Sequence, residues 1–336
     1  MKVWQLVEQK SVEDFPLKQT ELNRPEPASD ELLVKINATA ICRTDLHIIE
    51  GDLVLKKKPI VPGHQIVGTI VGMGKAVKGL SIGEKVGLAW LRQTCRQCKF
   101  CRKKQENLCV NPQFNGWTHD GGFAEFITVP KDFVYCLPDG FETLNAAPLL
   151  CAGIIGYRSL RLCEIDQWDK ANLGIYGFGA AGHLAIQIAK ARGARVYVCT
   201  RDRKKHAKLA EELGADWIGD TFDKPPTRLD ASIIFAPAGE IVPAALSALD
   251  KGGRLVLGGI HMSKIPPIDY SLIYGERKII TVTNNTRSDA EEFLREAAGL
   301  NIKTSVEVFE FDNLPKALIA LKNDAVKGSA VVHISD

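Results

Sequence analysis

The sequence lacks an excess of either charge: 43 basic side chains against 40 acidic ones leave a net +3 over 336 residues. Bulk attraction to nucleic acid or to a membrane surface is thereby excluded, and any basic patch must be local. A membrane-spanning run is also missing. The best stretch, residues 171–189, is broken by Gly174, Gly177, Gly179 and Gly182 and carries Asn172, His183 and Gln187. The opening residues MKVWQLVEQK hold no apolar leader core, so a cytoplasmic location and reduced cysteines are expected. Internal repeats and low-complexity segments are absent.

What is there fits a folded protein of about two domains, at roughly 150 residues per domain. Hydrophobic residues make up 45 % and charged residues 25 %, enough to bury a large core, which excludes disorder, collagen and coiled coil. Over residues 1–152, short apolar runs such as Leu32 to Ile36, Ile66 to Val71, Lys85 to Trp90 and Phe123 to Val129 are separated by Gly and Pro. They predict antiparallel strands in a barrel-like domain. Over residues 153–286 the pattern changes: strands at Leu173 to Tyr176, Arg195 to Thr200, Ser232 to Phe235 and Arg254 to Leu257 alternate with helices at Ala180 to Ala191, Lys204 to Leu213 and Ile241 to Leu249. This alternation predicts an α/β domain with a parallel, doubly wound Rossmann sheet. A capping box at Ser288-Asp289-Ala290-Glu291 predicts a helix to about Ala298. There the chain, over residues 287–336, returns to the first domain with a strand near Ser305 to Phe311, a helix near Pro315 to Leu321 and a strand over Ala330 to Ile334.

Four of the nine cysteines crowd together as Cys95, Cys98, Cys101 and Cys109. The first three are too close to pair comfortably as disulfides but well placed to converge on one metal, in a lobe of about residues 92–112. Zinc is favoured over an iron–sulfur cluster, because the ferredoxin run continues with a three-residue gap and Cys-Pro, whereas seven residues precede Cys109 and Val110 follows it. The cations Arg92, Arg96, Lys99, Arg102, Lys103 and Lys104 are expected to stabilise the thiolates. Four protein ligands close the coordination shell, so this zinc reads as structural.

A second set is dispersed: Cys42 in Cys-Arg-Thr-Asp-Leu-His, His64 in Pro-Gly-His-Gln, and Cys151 in Leu-Leu-Cys-Ala-Gly. Each alone reads as well as a core or loop residue. The glycines Gly177, Gly179 and Gly182 follow an apolar strand and open a helical pattern, the context in which such a spacing binds a dinucleotide pyrophosphate.

These segments, in this order and spacing, resemble the zinc-dependent alcohol dehydrogenases of the medium-chain dehydrogenase/reductase superfamily, over nearly the whole chain. The runs Trp117-Thr118-His119-Asp120-Gly121-Gly122 and Pro148 to Gly153 look most like the cinnamyl-alcohol-dehydrogenase-like branch. The resemblance implies a GroES-like β-barrel catalytic domain beside the Rossmann domain, and two Zn²⁺ per chain. It implies that Cys42, His64 and Cys151 hold a catalytic zinc, with Asp45 orienting the zinc histidine. Thr44 and His47 match a proton relay. Trp90 and Trp117 match the substrate pocket, and Arg43 joins the cofactor-binding residues. Two departures stand out: Gln65 where the family usually carries Glu, and Ile155 where better-known members carry threonine.

For the cofactor, the second Rossmann strand ends in Thr200 and Arg201 rather than in an acid, and Lys205 follows. By resemblance these three bind the 2′-phosphate of NADP, with Arg203 and Lys204 adding charge; Asp202 is the counter-argument for NAD. The expected reaction is hydride transfer between a primary alcohol or aldehyde and NADP(H). A polyol or sugar dehydrogenase using NAD(H) on the same fold is the alternative, and a non-enzymatic zinc-ribbon module is the rival from another class. The partners expected are a small-molecule substrate and further copies of the chain, as homodimer or homotetramer, without nucleic acid or membrane. Cys136, Cys163, Cys199, His119, His183, His206, His261 and His333 read as structural, with His119 kept as a pocket candidate.

Overall fold

Aliphatic and β-branched residues from Leu32 to Ile41 form an eleven-residue strand, Glu31–Ile41, at the heart of the first unit of the computed structural model. The structure describes residues 1–138 and 140–335. One edge of this strand pairs antiparallel with Gln65–Met73; the other is shared by Phe126–Pro130 and Ser329–His333. The sheet continues through Lys85–Leu88 to Val134–Cys136 on one side and to Val306–Glu310 on the other. Leu32, Val34, Ile36, Ile66, Ile70, Phe123 and Val332 are fully buried against it. Removing each such side chain from water contributes about 1.5–3 kcal/mol. This unit comprises residues 1–151 and 286–298, and resumes at residue 304.

The register between the two longest strands brings distant segments together. Ala40 lies opposite Gln65, so the strand that runs on into Cys42 and the strand that begins after His64 end at the same edge of the sheet. Two residues far apart in sequence are thereby delivered to one place.

The second unit, residues 152–285 with 299–303, is built on six parallel strands. Their order is Trp217–Gly219, Arg195–Cys199, Asn172–Tyr176, Leu229–Ile234, Leu249–Leu257 and Lys278–Thr281. The first strand in sequence thus lies inside the sheet and the chain winds outward both ways, the doubly wound order expected of a Rossmann domain. The helix Ala180–Ala191 has the bounds read from its periodicity. The strand expected at Arg254 to Leu257 starts earlier, at Leu249, because a register shift accommodates Asp250-Lys251-Gly252-Gly253 as a bulge where the sequence reads as a turn.

The helix Arg287–Gly299 forms as predicted, but its cap is not Ser288 with Glu291. Thr286 donates to Asp289 Oδ2 from its amide at 2.8 Å and from its hydroxyl at 2.7 Å, and accepts from the Asp289 amide at 3.1 Å. Asp289 is buried, whereas Ser288 donates instead to Glu292 in solvent. The pair with less competition from water makes the box. Among the described residues no helix is long and apolar enough to cross a membrane.

Candidate active site and the two thiol clusters

Cys42 is the N-cap of the helix Arg43–Glu50, and that placement lets Asp45, one turn in, serve two partners. Asp45 Oδ2 accepts from the Cys42 amide at 2.9 Å, and Oδ1 lies 2.9 Å from His64 Nδ1. Both side chains are inaccessible to solvent, at 0 % and 1 % exposure. With Nδ1 turned to the carboxylate, the imidazole presents Nε2, which lies 3.4 Å from Cys42 Sγ. Cys151, just past the 3₁₀ turn Ala147–Leu150, completes the group: the three donor atoms lie within 4.8 Å of one another. The Thr44 hydroxyl reaches the Cys42 sulfur.

The electrostatics of these buried groups are tightly coupled. The hydrogen bond from Cys151 holds the Cys42 thiol well below its ordinary value, against burial and with help from His64. The same bond, with burial, pushes Cys151 up. Burial opposes a charge on His64, yet Asp45 and Cys42 together push it up to about 10. Two soft sulfurs and one imidazole braced from behind by a carboxylate are a donor set that suits a divalent zinc ion with one coordination position left open.

Around this cluster the Trp90 ring centroid lies 6.2 Å from that of His64, and it stacks on Phe114 at 4.3 Å and on Trp117 at 5.7 Å. The Trp117 indole is anchored by a 2.9 Å bond to the Val54 carbonyl. His47, three residues beyond Thr44 on the same helix, has Nδ1 2.7 Å from Asp52. Gln65 is 1 % exposed, and its amide nitrogen has no partner among the described residues. Arg43 is ion-paired with Asp324. His119 lines a different cavity, of about 390 Å³, with Arg92 and Asp120.

The four-cysteine lobe is also brought together, with all four sulfurs within 4.8 Å of one another. Its support is not what the basic run suggested. Arg92 is buried and pairs with Glu31 at 2.6 Å, and Arg96 pairs with Asp132 at 2.8 Å. Lys99, Arg102, Lys103 and Lys104 are exposed. The sulfurs face backbone amides instead: Cys95 N lies 3.2 Å from Cys109 Sγ, Cys98 N 3.4 Å from Cys95 Sγ, and Asn111 N 3.4 Å from Cys109 Sγ. The amides of Cys101 and Val110 lower the Cys98 thiol to about 6. Fixed dipoles in contact outweigh mobile charges screened by water.

In the second unit, Gly177 has φ +91° and a side chain there would meet the Ala236 amide at 2.9 Å; one on Gly182 would meet the Gly177 carbonyl at 2.7 Å. Nothing lies within 4 Å of the place a Gly179 side chain would take. The fold itself demands the first and third glycines, while the open space over the second, at the N-terminus of a twelve-residue helix, fits a pyrophosphate. Thr200 directly follows the second strand, Arg195–Cys199, and is 2 % exposed. Asp202 caps the next helix by accepting from the Lys205 amide at 3.0 Å.

Comparison with known proteins agrees with this architecture. Residues 28–139 match the alcohol dehydrogenase GroES-like domain, and residues 180–299 match the zinc-binding dehydrogenase domain. A probable alcohol dehydrogenase, AdhA, of Mycobacterium tuberculosis is 44 % identical over 99 % of this chain and 97 % of its own length. The chain belongs to the zinc-binding alcohol dehydrogenases. Among solved structures, a cinnamyl alcohol dehydrogenase from Sorghum bicolor is 26 % identical with a TM-score of 0.87, covering 99 % of this chain and 97 % of that one. The CAD of Helicobacter pylori complexed with NADP(H) is 25 % identical with a TM-score of 0.87, covering 99 % of each chain. As a member of this family and of its cinnamyl-alcohol-dehydrogenase-like branch, the protein is an oxidoreductase of small alcohols and aldehydes, with a GroES-like domain and a parallel Rossmann sheet.

Within this alcohol dehydrogenase fold, sequence reasoning passed over three residues. Asp52 is five positions after His47 and past a glycine turn, a spacing that could have flagged it. Phe114 joins the aromatic wall only through the pairing of Leu91–Gln93 with Gln113–Phe114. His206, read as structural, lies with Nδ1 2.7 Å from the Thr200 hydroxyl.

Proposed function

We propose that the protein interconverts primary alcohols and aldehydes with NADP(H), with Cys42, His64 and Cys151 as ligands of a catalytic zinc and the four-cysteine lobe holding a structural one. The observation that carries the reading is the convergence of two thiols and one imidazole around a common point, with Asp45 bridging Cys42 and His64 from behind. When bound there, zinc would supply a Lewis acid for the substrate oxygen.

The chain's own residues do the rest. Asp45 holds the imidazole in the tautomer that presents Nε2. Thr44 Oγ1 exchanges the substrate-oxygen proton and passes it toward His47, whose ring Asp52 grips through Nδ1. Trp90, Phe114 and Trp117 form an apolar wall suited to an aliphatic or aromatic carbon chain rather than a polyol.

NADP is preferred over NAD because Asp202, the one acid at the end of the second strand, is engaged as a helix cap, while Thr200, Arg201 and Lys205 offer a hydroxyl and two cations. A homo-oligomer has a surface to form on: the edge strand Lys278–Thr281 exposes Ile279, and Ile260, Ile265, Tyr270 and Tyr274 are exposed nearby in sequence.

The test is metal content per purified chain together with NADPH and NADH oxidation against aliphatic aldehydes, aromatic aldehydes and a ketose. Two zinc ions and NADPH-dependent aldehyde turnover are expected. One zinc ion without turnover overturns the three-ligand assignment, and a preference for NADH with the ketose overturns the substrate and cofactor reading.

A further inference from the structure

His206 stands in the second turn of the helix Arg203–Glu212, and its Nδ1 lies 2.7 Å from the hydroxyl oxygen of Thr200. This contact is built in. Asp202 closes the first turn by accepting from the Lys205 amide, the residue just before His206. The Thr200 amide is bonded to the Gly219 carbonyl at 3.1 Å, so the threonine backbone is anchored to the neighbouring strand.

A threonine hydroxyl has one proton and two lone pairs, so the partner on one side decides what it offers on the other. If His206 Nδ1 carries no hydrogen, it takes the Thr200 proton, and only lone pairs remain for a ligand. If Nδ1 carries a hydrogen, it donates to Thr200 Oγ1 and leaves the threonine proton for an acceptor. A phosphate oxygen is such an acceptor, whereas a ribose 2′-hydroxyl serves equally as donor. The arrangement needs only a hydrogen on Nδ1, in the neutral ring or the charged one.

We infer that His206 is a positioning residue for cofactor choice: by donating from Nδ1 it turns the Thr200 hydroxyl into a hydrogen-bond donor and selects a dinucleotide bearing a 2′-phosphate. The inference rests on the proposed preference for NADP and names the element that enforces it. Arg201 and Lys205 supply charge to the phosphate, and His206 supplies the direction of a hydrogen bond, which charge alone does not set.

The experiment is calorimetric titration of the metal-replete protein with adenosine 2′,5′-bisphosphate and with 5′-AMP, reading the ratio of the two affinities without any turnover. The wild type is expected to favour the bisphosphate. His206→Leu should lower that ratio by about fivefold, leaving 5′-AMP affinity unchanged, since Thr200 keeps its proton but loses the group that orients it. His206→Asn, whose amide nitrogen takes the place of Nδ1 and can donate, should keep the ratio within about threefold. Thr200→Val, which removes the donor itself, should lower the ratio by about tenfold or more, and the double variant should lose no more than Thr200→Val alone. If leucine disturbs folding, seen as weakened 5′-AMP binding, His206→Ala gives the same comparison with a residue that favours helix.

An unchanged ratio in a folded His206→Leu or His206→Ala variant overturns the inference, and so does an additive loss in the double variant. A wild type that does not discriminate between the two ligands overturns the preference for NADP itself, and this inference with it.

Discussion

The two thiol clusters of this chain use the same atom type under opposite regimes. Cys95, Cys98, Cys101 and Cys109 come from one short segment, lie near the surface, and are supported by backbone amides of that same segment. Cys42, His64 and Cys151 come from three distant segments, and the first two are braced by a carboxylate with no solvent exposure. A local cluster carries its own electrostatic support in its turns. A dispersed one needs a sheet register to assemble it and a buried side chain to orient it. On the proposed reading, the same contrast would separate a closed four-ligand shell from a three-ligand shell with one position open.

The largest effect is expected at His64. His64→Ala should remove one equivalent of metal and reduce turnover by more than about 100-fold while the lobe keeps its metal; metal analysis per chain with a steady-state assay reads both. Retention of both equivalents would show that the dispersed cluster is not a metal site.

Next in size is Asp45→Asn, which keeps the shape but withdraws the carboxylate from His64. Metal affinity at the dispersed site should fall about 10- to 100-fold, measured by competition with a chromogenic chelator, with no effect on the lobe. Equal loss at both sites would mean that the two clusters are not independent.

Cys109→Ser addresses the lobe. One equivalent of metal should be lost and the melting temperature should drop by more than about 3 °C, because metal binding to a local segment is folding free energy. Activity of the molecules that remain folded should persist. Abolished turnover at intact stability would contradict the structural assignment.

The smallest effect is expected at Gln65, buried beside His64 with an amide nitrogen that lacks a partner among the described residues. Gln65→Glu should alter turnover severalfold and leave zinc content intact, since the side chain is not a ligand. Unchanged kinetics would remove any special role for this position.

The local cluster was legible because its spacing is its geometry: residues three apart in one turn have nowhere to go but together. The helix Ala180–Ala191 and the glycine turn before it were legible for the same reason, since periodicity and a positive φ are properties of neighbouring residues. The dispersed cluster was legible only through resemblance, as Cys42, His64 and Cys151 each read alone as a core or loop residue. Where local reading failed, a competing partner decided the outcome. Thr286 displaced Ser288 as the cap because its box is buried, and Arg92 turned to Glu31 rather than to the thiolates.

The two-domain α/β plan, the four-cysteine lobe and the glycine turn before Ala180–Ala191 were thus written in short-range patterns of cysteine spacing, glycine and period. The tertiary structure alone decided that Ala40 faces Gln65, that Asp45 reaches both Cys42 and His64, and that His206 meets Thr200. These depend on strand register and on which polar groups are shut away from water. Register is a property of paired segments, and burial is a property of the whole fold.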